Sequence, residues 1–306
     1  MKKTFYSHGK LLLFGEYAVL DGALALAVPT RPGQSLEVSP GTSPGLSWTS
    51  LDQRGEAWLQ ARFTAGELEQ PASGAFPKAL RERLLYILQT AGALAPGFLP
   101  DPLSLQVTTR LEFPREWGLG TSSTLLANIA AWSGANPYDL LQRSMGGSGY
   151  DLACARAEGP VFYQLREGRA EATEAPFRPG FAGDLLLVYL GQKQDSREGI
   201  ARYLERQEDT APLVRELSGL SDAMARTNTL KTFMDGMRRS EALLSEFLGL
   251  PPVGERLFSD FDGAVKSLGA WGGDFILAAG GSRATDYFRE KGFPVQLRYS
   301  DLVLEG

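Results

Sequence analysis

The chain has 306 residues, 43% hydrophobic and 22% charged, a composition typical of a folded protein of one or two domains and not of a disordered one. Its 31 basic and 36 acidic side chains give a net charge of −5, which argues against nucleic-acid or anionic-membrane partners. One cysteine, Cys154, and one histidine, His8, exclude an intrachain disulfide and any multi-histidine metal site. We see no signal peptide and expect a cytoplasmic protein.

In the first part of the chain, apolar runs predict strands and one helical period predicts a helix. Residues 11–14 are predicted as a buried strand, 15–22 as a turn or short helix, and 23–28 as further apolar chain. The Gly-, Pro-, Ser- and Thr-rich stretch 40–55 predicts hairpin loops. Leucines at helical spacing indicate a helix within 76–91, and strict alternation indicates a half-buried strand over 103–113.

A glycine-rich turn then leads into a buried helix, 125–132, which lies in a stretch too polar to span a membrane. A short helix after residue 151, a strand at 160–165, a boundary region at 171–183 and a strand at 184–190 follow. Residues 196–268 are predicted to be mostly helical, with breaks at Pro212, Gly219 and 251–252. A strand at 274–279, a helix at 284–291 and a strand at 295–299 complete an α+β pattern in two lobes.

The glycine-rich turn at 116–124, EWGLGTSST, is the first stretch that can carry chemistry. A helix N-terminus presents unpaired N–H groups and a partial positive charge, which suits a phosphate, and Ser122 or Ser123 could contribute a hydroxyl to Mg²⁺. The sequence matches neither of the two common phosphate-binding motifs. Its plainer interpretation is a tight turn in which Thr121 or Ser122 caps the helix.

Three further stretches combine glycines with one charged residue. Lys10 lies in GKLLLFGE, where it is either a functional cation or a strand-edge lysine that reaches solvent. Asp151 ends GGSGYD, where it is either a functional acid or a helix N-cap. Residues 266–274, KSLGAWGGD, are either a ligand loop or a glycine-rich hairpin.

Together and in this order, these stretches resemble the motifs of the GHMP kinase superfamily, which is named for galactokinase, homoserine kinase, mevalonate kinase and phosphomevalonate kinase. Residues 9–19 resemble the first motif, P-G-K-[LIV]-x-L-x-G-E-H-A-V, with Tyr17 in place of its histidine. Residues 118–123 resemble G-L-G-S-S-A, and residues 266–274 resemble G-A-G-G-G-[GD]-C with Trp271 at a glycine position. Bulky Trp117 also departs from the family pattern. Residues 148–151, SGYD, are most similar to phosphomevalonate kinases.

The resemblance implies an α+β, two-lobed fold. Residues 1–175 would form a ribosomal-S5-domain-2-like, ATP-binding N-terminal domain, and residues 176–306 a ferredoxin-like C-terminal domain. It further implies a kinase that uses ATP and Mg²⁺ to phosphorylate phosphomevalonate or mevalonate in isoprenoid precursor synthesis. The expected partner is a small-molecule acceptor, without nucleic acid or membrane, for a monomer or homodimer.

The resemblance also assigns roles to residues. Lys10 and Asp151 would be catalytic, with Asp151 orienting the attacking group and Lys10 stabilising the transferred phosphoryl group. Ser122 would contribute to the Mg²⁺ site. The ATP-binding residues would be Gly118, Leu119, Gly120, Thr121, Ser122 and Ser123. The substrate-binding residues would be Glu16, Tyr17, Ser148, Gly149, Tyr150, Lys193, Ser196, Arg197, Gly272 and Gly273.

Three alternatives stay open from the sequence. Diphosphomevalonate decarboxylase shares the fold and an essential aspartate but releases carbon dioxide. A catalytically silent ligand-binding relative is the second alternative, favoured by Trp117 and Trp271 and disfavoured by the retained Lys10 and Asp151. A plain scaffold protein is the third. Mevalonate kinases carry a Mg²⁺-binding glutamate 11 residues before their aspartate, and that position is Leu140 here, so a second protein ligand for the metal is unassigned.

Overall fold

The structure is a computed structural model that describes residues 2–191, 196–206, 209–269, 271, 273–281 and 283–305. These residues form two compact units that interleave along the chain. The first unit comprises Met1–Gly9, Pro32–Arg115 and Leu119–Arg156, and the second comprises Lys10–Arg31, Glu116–Gly118 and Ala157–Gly306. The predicted division after residue 175 stays a prediction.

The first part of the chain supplies five strands and five helices, and its strands β1 and β2 contribute residues to both units. In chain order they are β1 (Lys3–Phe14), β2 (Ala25–Pro40), β3 (Gly45–Leu51), β4 (Ala57–Phe63), α1 (Ala65–Glu69), α2 (Leu80–Leu94), β5 (Ser104–Leu111), α3 (Thr121–Ser133), α4 (Pro137–Gln142) and α5 (Tyr150–Arg156). A 3₁₀ turn, Ala18–Asp21, separates β1 from β2, and a second, Arg115–Trp117, precedes α3.

In the first unit, the strand order is β4-β3-β5-β2, and β1 pairs with β2. Strands β3 and β5 are parallel, whereas β2 and β5 are antiparallel, with Val38 opposite Val107. Alternate residues of these strands, among them Trp48 and Phe63, are buried with Leu88 of α2 and Leu126 of α3. The helices therefore cover one face of the sheet, as the period-two pattern of its strands requires.

The described residues of the second part of the chain form six strands and six helices. They are β6 (Val161–Arg166), β7 (Arg169–Glu174), β8 (Leu185–Tyr189), α6 (Ser196–Leu204), α7 (Ala211–Arg226), α8 (Leu230–Leu248), α9 (Val253–Leu257), β9 (Gly263–Leu268), β10 (Phe275–Gly280), α10 (Ala284–Glu290), β11 (Gln296–Arg298) and α11 (Tyr299–Leu302).

The second unit contains an antiparallel sheet with the order β11-β8-β10-β9, while the first residues of β2 pair with β6, which pairs with β7. One face of the four-stranded sheet buries Val188 and Ile276 against Val253 of α9 and Phe288 of α10. A separate core joins α6, α7 and α8 to the 3₁₀ turn through Tyr203 and its neighbours. Among the described residues, every helix falls short of the length or apolarity that a membrane crossing requires.

The predicted α+β class is confirmed, and most predicted elements lie within a few residues of their positions. Three local predictions are wrong. The loop-like stretch 40–55 contains β3, because serine and threonine alternate there with buried Leu46 and Trp48. Gly219 lies inside α7, where the helix's buried apolar stripe outweighs its low propensity. The predicted helical span, 196–268, ends in β9, a strand with five buried residues in succession. Apart from these three, the predicted boundary region, 171–183, begins with the last residues of β7.

Candidate active site

The glycine-rich turn leads into α3 as predicted, and α3 begins at Thr121 in the first unit. Its N-cap is Gly120, with φ 97°, so no side chain caps the first amides, and the first turn carries no acidic residue. The Ser122 side chain is exposed. This end of the helix therefore has a partial positive charge and donor N–H groups that no N-cap side chain satisfies, which are the properties of a phosphate site.

Buried polar contacts fix α3 on strand β2 of the same unit. The Thr124 hydroxyl donates to Gln34 Oε1 at 2.7 Å, and Asn128 Nδ2 donates to the Gln34 carbonyl at 2.8 Å. The Ser7 hydroxyl in turn donates to Asn128 Oδ1 at 2.9 Å. Because these groups are buried and satisfied, they set the axis of α3 and hold its first turn in place.

The predicted aspartate, Asp151, lies in the first turn of α5 and is half-buried. Helix α5 packs against α3 within the first unit, so the unit brings the helix of Asp151 beside the helix that follows the glycine-rich turn. Ser148, Gly149 and Tyr150 lead into this helix, and Tyr150 is buried. Lys10, the other predicted catalytic residue, is half-buried on β1 in the second unit.

The residues just before α3 belong to the second unit and pack on its four-stranded sheet. Trp117 contacts Phe275 edge to face, with ring centroids 5.6 Å apart. Gly118 has φ 66°, and a Cβ atom there would collide with the Asp274 carboxylate. Trp117 is therefore part of the packing of β10, and the position of Gly118 requires a residue without a side chain.

A group of buried charges in the second unit, Glu16, Lys266 and Glu241, joins three elements; we call it the ionic cluster. Lys266 Nζ of β9 donates to Glu16 Oε1, and the side chains are 0% and 3% exposed. Glu241 Oε1 of α8 accepts from the Ser267 amide at 3.0 Å. The cluster thus ties the turn after β1 to β9 and α8 by contacts inside the protein.

Burial makes both carboxyl groups of the ionic cluster harder to ionise. It raises the pKa of Glu241 to about 7, against opposing effects of the Lys266 charge and the Ser267 hydrogen bond, and the nearby Glu16 charge raises it further. Burial also raises the pKa of Glu16, although Lys266 favours its charged form. Two carboxyl groups around one buried ammonium therefore hold a proton more tightly than carboxyl groups in water do.

Tyr17, which replaces the family's histidine, connects the first and third motifs within the second unit. Its φ of 59° is rare for a residue with a bulky side chain, and its hydroxyl accepts from the Trp271 amide at 2.7 Å. Its ring stacks on Tyr203 at 5.8 Å. Burial raises the pKa of Tyr17 to about 12, so the phenol is neutral at physiological pH.

The remaining predicted residues fall in two groups. Gly273 is buried just before β10, and Ser196 and Arg197 belong to the first turn of α6, whereas Lys193 and Gly272 lie outside the described residues. Sequence reasoning missed Gln34, Asn128 and Glu241. Asn128, a polar residue within the apolar helix 125–132, carried a signal in the sequence, whereas Gln34 and Glu241 carried none. No such signal could reveal partners that lie far away in the chain.

No three His, Cys, Asp or Glu side chains come together as a metal-binding group in the part of the chain that the structure describes. Leu140, at the position of the mevalonate kinase Mg²⁺ glutamate, is fully buried in the core of the first unit. The Ser122 hydroxyl on an exposed first turn is compatible with one bond to Mg²⁺, which keeps several waters and substrate phosphate oxygens as ligands.

No family model and no curated protein matches the chain by sequence, but solved structures match it in fold. Streptococcus pneumoniae phosphomevalonate kinase in complex with phosphomevalonate and AMPPNP covers 97% of this chain and 99% of its own, with a TM-score of 0.69 and 18% identity. Methanococcus jannaschii mevalonate kinase covers 95% of each chain, with a TM-score of 0.68 and 14% identity. Lactococcus lactis galactokinase complexed with galactose covers 100% of this chain and 94% of its own, with a TM-score of 0.64 and 13% identity.

These matches extend over nearly the whole chain and share one architecture. The chain has the two-domain fold of the GHMP kinases, as the resemblance of its motifs predicts. Because these kinases act on acceptors as different as galactose and phosphomevalonate, the fold alone does not select an acceptor.

Proposed function

We propose that this chain is an ATP-dependent small-molecule kinase of the GHMP class. The observation that carries the proposal is the N-terminus of α3, which begins with Gly120, lacks a side-chain cap and follows the G-L-G-T-S-S sequence. A fold common to small-molecule kinases, one of them solved with AMPPNP, supports the same proposal. The ATP phosphates would accept hydrogen bonds from the amides of residues 118–123.

Mg²⁺ fits this proposal as part of the bound nucleotide. The Ser122 hydroxyl would hold it together with nucleotide phosphate oxygens, and its charge would neutralise the charge that develops during phosphoryl transfer. The protein's own contribution is positional, because α3 is fixed by Thr124 and Asn128 before any ligand binds.

Lys10 and Asp151 carry the chemistry in this proposal. Asp151 would orient the attacking oxygen of the acceptor, and Lys10 would stabilise the phosphoryl group in the transition state. When the acceptor is already a phosphate, its oxygen is a competent nucleophile at neutral pH. Such an acceptor needs orientation more than it needs a strong base.

We favour phosphomevalonate over mevalonate as the acceptor. The S-G-Y-D sequence that ends at Asp151 is similar to phosphomevalonate kinases, and Lys193 and Arg197 add two cations where that family has a substrate loop. A phosphate dianion needs such donors, and arginine can bind it through two parallel hydrogen bonds.

The test is ADP release from the purified chain with ATP and Mg²⁺ across mevalonate, phosphomevalonate, diphosphomevalonate, homoserine and galactose, with carbon dioxide measured in parallel. We expect release with phosphomevalonate above all others and no carbon dioxide. Asp151→Asn is the inactive control. Release only with galactose or homoserine would contradict the acceptor, and carbon dioxide from diphosphomevalonate would identify a decarboxylase. ATP binding without turnover on any acceptor would contradict the kinase proposal.

A further inference from the structure

A pocket of about 260 Å³ in the second unit is lined by two arginines and two aromatic rings. Arg202 is in the last turn of α6 and Arg256 is in the last turn of α9. Tyr17 and Trp271 form the aromatic part of the wall. The volume is at the small end for ligand pockets, which suits a small acid rather than a nucleotide.

The two arginines differ from several other arginines of the same unit in having no carboxylate partner among the residues that the structure describes. Arg226, Arg238 and Arg239 each contact a carboxylate, at 2.9–3.1 Å. Within the described residues, neither Arg202 nor Arg256 forms an ion pair. An arginine in the last turn of a helix interacts favourably with the helix dipole. That effect explains each residue singly and does not explain why both line one pocket.

The aromatic wall is held in place by its own contacts. The Trp271 amide donates to the Tyr17 hydroxyl at 2.7 Å, and Trp271 Nε1 donates to the Pro251 carbonyl at 3.2 Å. A Cβ atom at Gly199 would lie 2.6 Å from the Tyr17 hydroxyl, so α6 fits against the phenol only because this residue is glycine. Because contacts within the protein hold both rings, the pocket is preorganised.

The pocket adjoins positions that the motifs predict as substrate-binding. Tyr17 is itself one of them, Ser196 and Arg197 begin the helix that carries Gly199 and Arg202, and Gly273 is two residues after Trp271. The Arg202 charge lowers the pKa of Tyr17, against the larger effect of burial, which places this guanidinium within electrostatic reach of the phenol.

We propose that this pocket binds the anionic end of the acceptor, a phosphomonoester or a carboxylate, and that Arg202 and Arg256 are its ligands. The identity of the acceptor rests on the proposed function, whereas the anion specificity rests on the two arginines. Guanidinium groups bind both anions through paired N–H donors, and the fixed rings leave a small, shaped space for the short carbon chain.

The test uses Arg202→Met and Arg256→Met, which keep an unbranched side chain like the aliphatic part of arginine and remove the charged guanidinium. Arg215→Met is the matched control, because Arg215 is exposed on α7 in the same unit and has no ion pair among the described residues. We expect each pocket variant to raise the KM for phosphomevalonate about tenfold or more, the usual effect of losing a charge-assisted hydrogen bond. The kcat and the KM for ATP should stay within about twofold of wild type.

Comparing two acceptors identifies the anion. If KM rises for both phosphomevalonate and mevalonate, the pocket holds the carboxylate that they share, and if it rises for phosphomevalonate alone, the pocket holds the phosphate. Both results support the proposal. KM values equal to those of Arg215→Met for both acceptors would overturn it.

A binding measurement separates this inference from the proposed function. Calorimetry with phosphomevalonate, without ATP, reports the pocket even if no acceptor is turned over. Binding that Arg202→Met and Arg256→Met weaken, together with no ADP release, would leave the pocket in place and remove the kinase proposal. If phosphomevalonate is turned over and both variants leave that turnover unchanged, the kinase proposal stands and the pocket proposal is wrong.

Discussion

The first turn of α3 follows one glycine-rich motif, and Glu16 and Lys266 of the ionic cluster belong to two others, yet the polar groups have opposite environments. At α3, Gly120 supplies no cap, Ser122 is exposed, and no acidic residue lies in the first turn. In the ionic cluster, Lys266 and Glu16 are almost completely buried and contact each other. The first site has amide donors that no N-cap side chain satisfies, and the second pairs its charges inside the protein.

This difference separates groups that can bind a ligand from groups that position the backbone. Amides without an N-cap side chain can donate to a phosphate, because the helix leaves its first N–H groups without an intrahelical partner. A buried ion pair has no access to a ligand, and the removal of one partner leaves the other charge without compensation. Variants at the first site should therefore change binding and activity, and variants at the second should change stability.

The largest expected effect is the loss of stability in Lys266→Met. The change leaves the Glu16 carboxylate buried without its ammonium partner, which typically costs about 3–5 kcal/mol of unfolding free energy. Urea unfolding followed by circular dichroism measures this loss. The double variant Lys266→Met/Glu16→Gln should be more stable than Lys266→Met alone, because it removes the uncompensated charge.

Lys291→Met is the matched control for this prediction. Lys291 also pairs with a carboxylate, Asp260, at 2.8 Å, but the pair is solvent-exposed, and exposed ion pairs contribute little to stability. If Lys266→Met were no less stable than Lys291→Met, the ionic cluster would not hold the motifs together as its burial indicates.

The next largest effect should appear in kcat, with Lys10→Met and Asp151→Asn. A charge-assisted contribution to the transition state commonly corresponds to about 10²–10³ in rate. The double variant should be only slightly slower than the slower single variant, because residues that act as one unit are not additive. Steady-state ADP release measures all three.

Thermal unfolding of the same variants supplies the control. Asp151 lies inside the first turn of α5 and is not its N-cap. If it only interacts with the helix dipole there, Asp151→Asn should lose stability by about 0.3–1 kcal/mol and keep full turnover. Unchanged kcat with a lowered melting temperature would assign Asp151 to the helix and remove it from the catalytic proposal.

The sequence predicts local features of this molecule better than its long-range contacts. The glycine-rich turn and the buried helix after it follow from residue order alone, as does the alternating strand β5. The contact between Glu16 and Lys266 joins residues 250 positions apart, and no periodicity encodes such a pair. β9 was predicted as helix for a related reason, since a short run buried on both faces has no alternation to identify it.

The same limit applies within the candidate site. Gly118, Gly120 and Asp151 belong to recognisable motifs and could be selected from the sequence. Arg202 and Arg256 lie outside every motif, and only the packing of α6 and α9 places both of them on one pocket. A glycine-rich motif can be found in the sequence because the glycines themselves mark a backbone that approaches a ligand. Two surface arginines far apart in the chain carry no such mark, and only the fold brings them to one pocket.

The third prediction concerns pH and the ionic cluster. Burial raises the pKa of Glu241 from its ordinary 4.5 to about 7, so the unfolded chain loses this proton first as pH rises. The unfolded state then binds fewer protons than the native state, and stability falls between about pH 4.5 and 7. Glu241 should contribute on the order of 3 kcal/mol of this loss, and Glu241→Gln, which stays neutral, should lack that contribution.

Urea unfolding at several pH values between 4.5 and 8 checks this prediction. Glu246→Gln, an exposed position on the same helix, controls for the loss of one acidic group. The difference in unfolding free energy between wild type and Glu241→Gln should grow as pH rises, to the disadvantage of wild type. If the difference in unfolding free energy between the two proteins were constant over this range, the pKa of Glu241 would not be raised in the folded state.

The smallest expected effect compares the two ends of α3. Gly120 and Gly134 cap this helix with left-handed backbone, at φ 97° and 80°, so alanine at either position introduces similar strain, roughly 1–2 kcal/mol. Only Gly120→Ala also adds a methyl group and alters the backbone where the ATP phosphates are proposed to bind. We therefore expect similar losses of stability in both variants, but about tenfold weaker ATP binding in Gly120→Ala alone, the equivalent of one lost hydrogen bond.

Calorimetry with ATP and Mg²⁺ measures the affinity, and urea unfolding measures the strain. Equal ATP affinities in the two variants would mean that the uncapped amides of α3 do not bind the nucleotide. The first turn of α3 and the ionic cluster would then differ in solvent exposure but not in function.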